Sequence, residues 1–339
     1  MHEIEFLTMN RFLLLLIAGL SLTVISCDKE FSDPEGDEIA RFNAWIQVHN
    51  IPESAKKPSG LYYVTKTPGT GASPQIGDWV LYSYVERTLD GLAWLSDNDS
   101  LMKLYNRYDN SYHYAPVFAK YEEANTQITG YSRYMLEGVF EGLGYMKEGE
   151  QVTLYIPYNL GYKGNASNGL SYQSLIYDLE LHKVISDPRA YETSLIEGYI
   201  NDNYPGLEPI NDSIYYIQLS PPTDETTQLA KDSVAYVYYK GMFLDGFVFD
   251  TNIDSVATNL GRKFSSTDSL KVTIGGNSVI KGFEQALLQM KEGEWGRAII
   301  PSFCGYDSIG TSSIPPFTPL VFDIYFSSKG ESSTKPTEN

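Results

Sequence analysis

The chain is poor in cysteine, histidine and positive charge. Its two cysteines, Cys27 and Cys304, leave no framework of disulfides. Cys304 reads as a small buried filler rather than a redox group. The four histidines, His2, His49, His113 and His182, stand far apart and lack ligand spacing, so no metal site is visible. Nothing in the sequence asks for a cofactor, and no nucleophile triad can be assembled. Lys and Arg number 25 against 43 Asp and Glu, a formal charge of −18 and a pI near 4.6. Such a surface repels phosphate backbones, which argues against a nucleic-acid partner. The apolar run Phe12 to Leu22 is too short to span a bilayer comfortably.

What is present is tyrosine, 27 residues of it, which favours strands, and a hydrophobic content of 42%, ample for packed cores. A length of 339 residues accommodates two domains. Residues 9–27 have the order of an export signal: Arg11, the apolar run, then Val24-Ile25-Ser26-Cys27. That last tetrapeptide resembles a bacterial lipobox. The resemblance implies cleavage before Cys27, lipidation of its sulfur and attachment to a membrane through the lipid. The competing reading is an uncleaved anchor or a core helix. Glu3 and Glu5 are wrong for the start of a signal, so Met9 competes with Met1 as the true start. On this reading residues 1–26 are a signal peptide, 27–37 an acidic tether and 329–339 a disordered tail.

Between the tails the chain repeats itself. Tyr84 and Asp90-Gly91 correspond to Tyr239 and Asp245-Gly246 at an offset of 155. Met146-Lys147-Glu148-Gly149-Glu150 corresponds to Met290-Lys291-Glu292-Gly293-Glu294, and Tyr162 to Tyr306, at an offset of 144. The first repeat therefore carries 11 extra residues between Asp90 and Met146. The registers point to two domains of one fold, 38–186 and 187–328. Each repeat opens with a helix: Asp187 caps the second, with Pro188 at its first position and a stripe of Leu195, Ile196, Tyr199 and Ile200. Ile39, Phe42, Trp45 and Ile46 repeat the pattern. These helices either pack on their own domains, lie between them, or pair with another copy. Strands follow at Tyr62 to Lys66, Val80 to Glu86, Tyr215 to Leu219, Val234 to Tyr239, Lys271 to Ile274, Trp295 to Ile300 and Leu320 to Phe326. Phe283, Ala286, Leu287 and Met290 form one helical face, repeated by Val139, Gly142, Leu143 and Met146. The fold class is α+β, an antiparallel sheet wrapped on one short helix, twice.

The second repeat contains Tyr238-Tyr239-Lys240-Gly241, Asp245-Gly246-Phe247-Val248-Phe249-Asp250, Val279-Ile280-Lys281-Gly282-Phe283-Glu284, Tyr306, Ile314-Pro315-Pro316 and Leu320-Val321-Phe322-Asp323-Ile324. This order and spacing resembles the FK506-binding-protein (FKBP) family of peptidyl-prolyl cis-trans isomerases. The resemblance implies two tandem domains of the family's half-open sheet. It implies a pocket lined by Tyr239, Phe249, Val279, Ile280, Phe283 and Phe322, with Phe283 as the floor where many members have tryptophan. Asp250 would stand beside the bound carbonyl, and the Tyr306 hydroxyl and Ile280 N–H would donate to substrate, with Ile314 closing the loop side. A macrolide-type ligand would occupy the same pocket. Taken singly, these residues also read as ordinary core, and Asp250 and Tyr306 as turn and loop anchors. Asp307 replaces a usual glycine, and Arg262 cannot be matched to the arginine expected in the longer segment Thr251 to Ser269.

The first repeat is degenerate at these sites. Phe249 becomes Trp94, Asp250 becomes Leu95, Val279-Ile280 becomes Met135-Leu136 and Phe283 becomes Val139, while Tyr84 and Tyr162 remain. The extra segment within Asp97 to Gly130 is rich in aromatics, namely Tyr105, Tyr108, Tyr112, Tyr114, Phe118 and Tyr121. It is either a recognition loop or a covered sheet edge. The expectation is an isomerase and folding factor of the bacterial cell envelope, acting from its C-terminal domain on proline-containing exported polypeptides, on the periplasmic face or the outer-membrane surface. The alternative is a non-enzymatic peptide- or protein-binding lipoprotein, a chaperone or a complex scaffold, built on the same domains.

Overall fold

The computed structural model describes residues 33–131, 133–164, 169–211, 214–266 and 268–329. The export signal, Cys27 and the tail beyond Lys329 lie outside the described residues. Helix α1 covers Pro34–Val48; Asp33 caps it by accepting from the Gly36 N–H at 3.0 Å, and Pro34 fits its first turn. Its first turn thus takes in the end of the acidic segment read as a tether. In chain order follow β1 (Tyr62–Thr67), β2 (Trp79–Thr88), β3 (Ala93–Ser96), α2 (Asp99–Leu104), β4 (Val117–Lys120), α3 (Glu137–Tyr145), β5 (Gln151–Ile156) and β6 (Leu175–Ile185). The second half contributes α4 (Pro188–Asn203), β7 (Tyr215–Gln218), β8 (Asp224–Gln228), β9 (Val234–Met242), β10 (Val248–Thr251), α5 (Asp254–Leu260), β11 (Leu270–Thr273), α6 (Lys281–Leu287), β12 (Lys291–Glu292), β13 (Trp295–Ile300) and β14 (Leu320–Ser327). No helix among the described residues is long and apolar enough to cross a membrane.

Two antiparallel sheets share one topology. The first runs β1-β5-β6-β2-β3 with β4 also on β2; the second runs β7-β13-β14-β9-β10 with β11 also on β9. The registers match around the site: Tyr84 faces Leu179 and Glu86 faces Tyr177, as Tyr239 faces Ile324 and Gly241 faces Phe322, while a bulge between Leu81 and Tyr82 occurs in the first sheet alone of these two strand pairs. One face of each sheet takes the short central helix. Val139, Leu143 and Met146 bury against the first, and Phe283, Ala286, Leu287 and Met290 against the second. The helices approach closely because both have glycine as their second residue: a Cβ on Gly138 would lie 2.6 Å from Ile156, and one on Gly282 2.3 Å from Ile300.

Alternate residues of the same strands point to the other face, and there the leading helices pack on their own sheets. Phe42 and Ile46 of α1 meet Tyr62, Leu89, Tyr155 and Ile176; Ile196 and Ile200 of α4 meet Met242, Val248, Ile299 and Val321. Leu195, placed in the apolar stripe by spacing, is 39% exposed instead. A buried carboxylate ties each helix down: Glu38 accepts from the Ser174 N–H at 2.8 Å, and Glu192 from the N–H and hydroxyl of Ser302. As expected, Asp187 caps α4, accepting from the Arg189 and Ala190 N–H groups, with Pro188 first in the helix. Periodicity did not reveal α5, which fills part of the long 251–269 segment, or the small β8–β12 ladder.

Gly282→Val forces two methyl groups against Ile300 and is expected to cost about 1–3 kcal/mol of stability by overpacking. Urea unfolding checks this; an unchanged midpoint would contradict the close helix–sheet approach.

Candidate active site

In the second half, four aromatic rings gather over β9 and β14. Tyr239 meets Phe283 edge-on at 5.9 Å between ring centres, Phe283 meets Phe322 at 5.2 Å, and Phe322 meets Phe249 at 5.7 Å. Gly241 is what lets the last two rings lie against the strand. A Cβ there would stand 2.7 Å from Phe249 and 2.9 Å from Phe322. Phe283 and Phe322 are buried, whereas Tyr239 and Phe249 are half-exposed. Val279 and Ile280, also half-buried, pack on the same core at the start of α6. Ile280 sits at the helix N-cap, its carbonyl accepting from Phe283 and Glu284. Among the described residues its own N–H makes no hydrogen bond.

The polar groups converge on Asp250. The Tyr239 hydroxyl donates to its Oδ2 at 2.6 Å. Burial, then this bond, push the Tyr239 phenol well above its usual range; burial and the Asp250 charge raise Tyr306 as well. Both phenols therefore remain protonated donors at neutral pH. Phe249, Asp250, Tyr306 and Ile314 share a cleft of about 580 Å³. Asp307, the departure from glycine, adopts a left-handed φ of 51° and accepts from Arg189 of α4. The segment Asp109 to Ser111, from the first half, lines the same cleft.

Two features escaped the reading by motif. Arg262 also lines the cleft: its guanidinium lies 5.0 Å from the Phe247 ring and 4.8 Å from Phe264, and donates to the Val248 carbonyl. No local spacing marks it, because α5 displaces it along the chain. Gly241 was legible in principle, since the offset of 155 sets it against Glu86.

That exchange closes the corresponding site of the first half. Glu86 occupies the place of Gly241, buried at 1% exposure, and accepts from the Tyr162 and Tyr177 hydroxyls. Tyr177 stands where Phe322 stands, and Leu95 faces Glu86 where Asp250 faces Gly241. Arg133 lies 4.2 Å over the Tyr84 ring, and Arg107 lies 3.7 Å over Trp94. The residues that would leave an opening are covered by cations or filled by a carboxylate.

The cleft presents Phe249 and Ile314 beside Asp250, Arg262 and the protonated Tyr306, while Tyr239, Val279, Ile280, Phe283 and Phe322 lie outside its lining; such a mixed apolar and polar surface is suited to binding an amide and stabilising a twisted one, without covalent chemistry. The family description FKBP-type peptidyl-prolyl cis-trans isomerase matches residues 102–182 and 225–326. Peptidyl-prolyl cis-trans isomerase FKBP9 of Rattus norvegicus is 26% identical over 265 residues, 77% of this chain and 36% of its own length. The chain thus spans little more than a third of that relative. Peptidyl-prolyl cis-trans isomerase FKBP11 of Bos taurus is 31% identical over 108 residues, 32% of this chain and 46% of its own. The crystal structure of a peptidyl-prolyl cis-trans isomerase from Pseudomonas syringae pv. tomato superposes with a TM-score of 0.34 at 28% identity, over 42% of this chain and 94% of that one.

Burial pushes the Glu86 carboxyl up to about 6, against the downward pull of the Tyr177 and Tyr162 hydroxyls and the Arg133 charge. A raised carboxyl stabilises the fold fully below its ordinary value of 4.5, and that contribution is lost as pH rises through about 6. Glu86→Gln should remove this slope and be more stable than the parent at pH 7 by about 1–2 kcal/mol. Denaturant unfolding at both ends of the window decides it: parallel pH profiles would refute a raised Glu86 carboxyl.

Proposed function

The chain belongs to the FKBP-type peptidyl-prolyl cis-trans isomerase family, and on that premise we propose that it is a lipid-anchored folding factor of a bacterial cell envelope whose second half isomerises X-Pro bonds in exported polypeptides. Rotation about such a bond meets a barrier of about 18–20 kcal/mol set by amide resonance. Lowering it calls for a dry surface for the proline ring and polar groups that favour the twisted amide. In the proposed pose the ring packs on Phe249 and Tyr239, over buried Phe283 and Phe322, between Val279, Ile280 and Ile314. The Ile280 N–H and Tyr306 hydroxyl donate to substrate carbonyls. Asp250, steadied by Tyr239, faces the amide carbonyl carbon, whose environment changes most as conjugation is lost. A macrolide-type ligand would occupy the same recess.

The observation that carries the assignment to the second half is the contrast at one strand position. Gly241 lets the Phe249 and Phe322 rings lie against the strand beside Asp250, whereas Glu86 puts a carboxylate at its counterpart. The first half is accordingly proposed to lack efficient turnover. The envelope location rests on Val24-Ile25-Ser26-Cys27 after the short apolar run.

Prolyl exchange measured by NMR without a coupled protease tests the site in the chain that follows Cys27. Asp250→Leu is expected to lower kcat/KM at least about tenfold, the order of losing one group that stabilises the transition state. Phe283→Ala should do the same, with circular dichroism confirming that it still folds. Parent-like rates in both would move the reaction elsewhere, and peptide binding without acceleration would favour a chaperone. Separately, Cys27→Ser should shift the protein expressed in a bacterium from the membrane to the soluble fraction. Continued membrane association would remove the lipid anchor from the proposal.

A further inference from the structure

The cleft of the second half is bounded on one side by the first half. Asp109, Asn110 and Ser111, from the segment between α2 and β4, share its lining with Phe249, Asp250, Arg262, Tyr306 and Ile314. We propose that this segment is a working wall of the cleft, a positioning element that contacts the polypeptide on either side of the substrate proline. The inference rests on the isomerase reading above and adds a second part of the chain to its substrate site.

Its attachment is specific. Asn110 Nδ2 donates to the Leu260 carbonyl at 3.0 Å and to the Gly261 carbonyl at 3.3 Å. It thereby caps the C-terminal end of α5, whose last carbonyls have no helical partner. The His113 ring lies 4.6 Å from Phe247 and 4.9 Å from Phe243, and its Nε2 stands 2.6 Å from Asp245 Oδ2. Gly130 of the same half presses on the Ile-Pro-Pro loop, where a Cβ would lie 2.6 Å from the Pro315 Cα. Those contacts reach the turn before β10, the end of α5 and the loop before β14, the last two of which line the cleft.

The wall is also ordered from within. Asp109 accepts from the Ser111 N–H at 2.8 Å and hydroxyl at 2.7 Å, and its own N–H donates to the Tyr114 hydroxyl at 2.9 Å. Tyr114 stacks on Tyr108, with centres 5.3 Å apart, and Arg133 donates to Tyr112. Arg133 thus both covers the closed site of the first half and supports the segment that borders the open site of the second. The segment stands beside the cleft and does not fill it, since about 580 Å³ remains. A ligand no larger than one X-Pro unit reaches Phe249, Asp250 and Tyr306; a longer chain passes Asp109 to Ser111 as well.

The test compares acetyl-Ala-Pro-methylamide with a decapeptide holding the same Ala-Pro centre, using the chain that follows Cys27. The detached variant is Asn110→Ala with His113→Ala. Ser111→Tyr, at an exposed position, alters the wall and removes its hydroxyl bond to Asp109 while leaving the anchors Asn110 and His113 in place. Both should lower kcat/KM for the decapeptide, through KM, at least about fivefold more than for the short substrate, the order of one lost hydrogen-bonded contact. Equal losses on the two substrates would overturn the wall and leave a purely structural contact. Faster turnover in either variant would overturn it in favour of an inhibitory cover. If the parent accelerates neither peptide, the isomerase reading fails on its own, and decapeptide binding by fluorescence anisotropy decides the wall. Binding weakened about fivefold in both variants supports it; unchanged binding, or a parent that does not bind, overturns it.

Discussion

Aromatic rings can come close to a strand where the residue beneath them has no side chain. This is so at Gly241: Phe249 and Phe322 come within reach of the backbone, Phe283 stands edge-on to Phe322, and Tyr239 closes the group while holding Asp250. Edge-to-face packing of this kind adds to simple burial because ring edges and faces carry opposite partial charge. At the same place in the first half a carboxylate has been driven into the core, where two tyrosine hydroxyls donate to its Oε2 and its Oε1 is buried without a partner among the described residues. One backbone position therefore separates a packed aromatic cluster from a buried polar one within the same topology.

Closing the first site changes what the first half contributes. Its cations are engaged by its own rings, Arg133 over Tyr84 and Arg107 over Trp94. Three of its rings meet the second half: Trp79 meets Phe317 edge-on at 5.4 Å, Phe118 stacks with Tyr191 at 6.1 Å, and His113 lies on Phe247. Phe317 closes the same loop that carries Tyr306 and Ile314, and its N–H donates to the Asp307 carbonyl. Arg189, at the start of α4, holds that loop from its own side. The loop is thus restrained by both halves, as a site requiring fixed donors needs.

Much of this was legible from local pattern. The offsets of 155 and 144 announced two copies of one fold, and the copies have the same strand order. Asp187-Pro188 announced α4, and the spacing of Phe283, Ala286, Leu287 and Met290 announced the buried helix face. The fold class followed from those periods, and the aromatic candidates Tyr239, Phe249, Phe283 and Phe322 do meet. Phe283 and Phe322 lie deeper than a pocket lining alone would suggest.

The sequence by itself determined the repeat, the family, the fold class and which half retains Asp250, because each is encoded by residue order or by a period of two or 3.6 along a contiguous segment. Only the tertiary structure decided that the tyrosine-rich segment of the first half borders the cleft of the second. Asn110 meets Leu260, and His113 meets Asp245, across separations of 150 and 132 residues. Contacts at such range depend on how two finished domains dock, and leave no periodic trace in either segment. The same holds for Arg262, which reaches the cleft only because α5 and two phenylalanine rings turn it there.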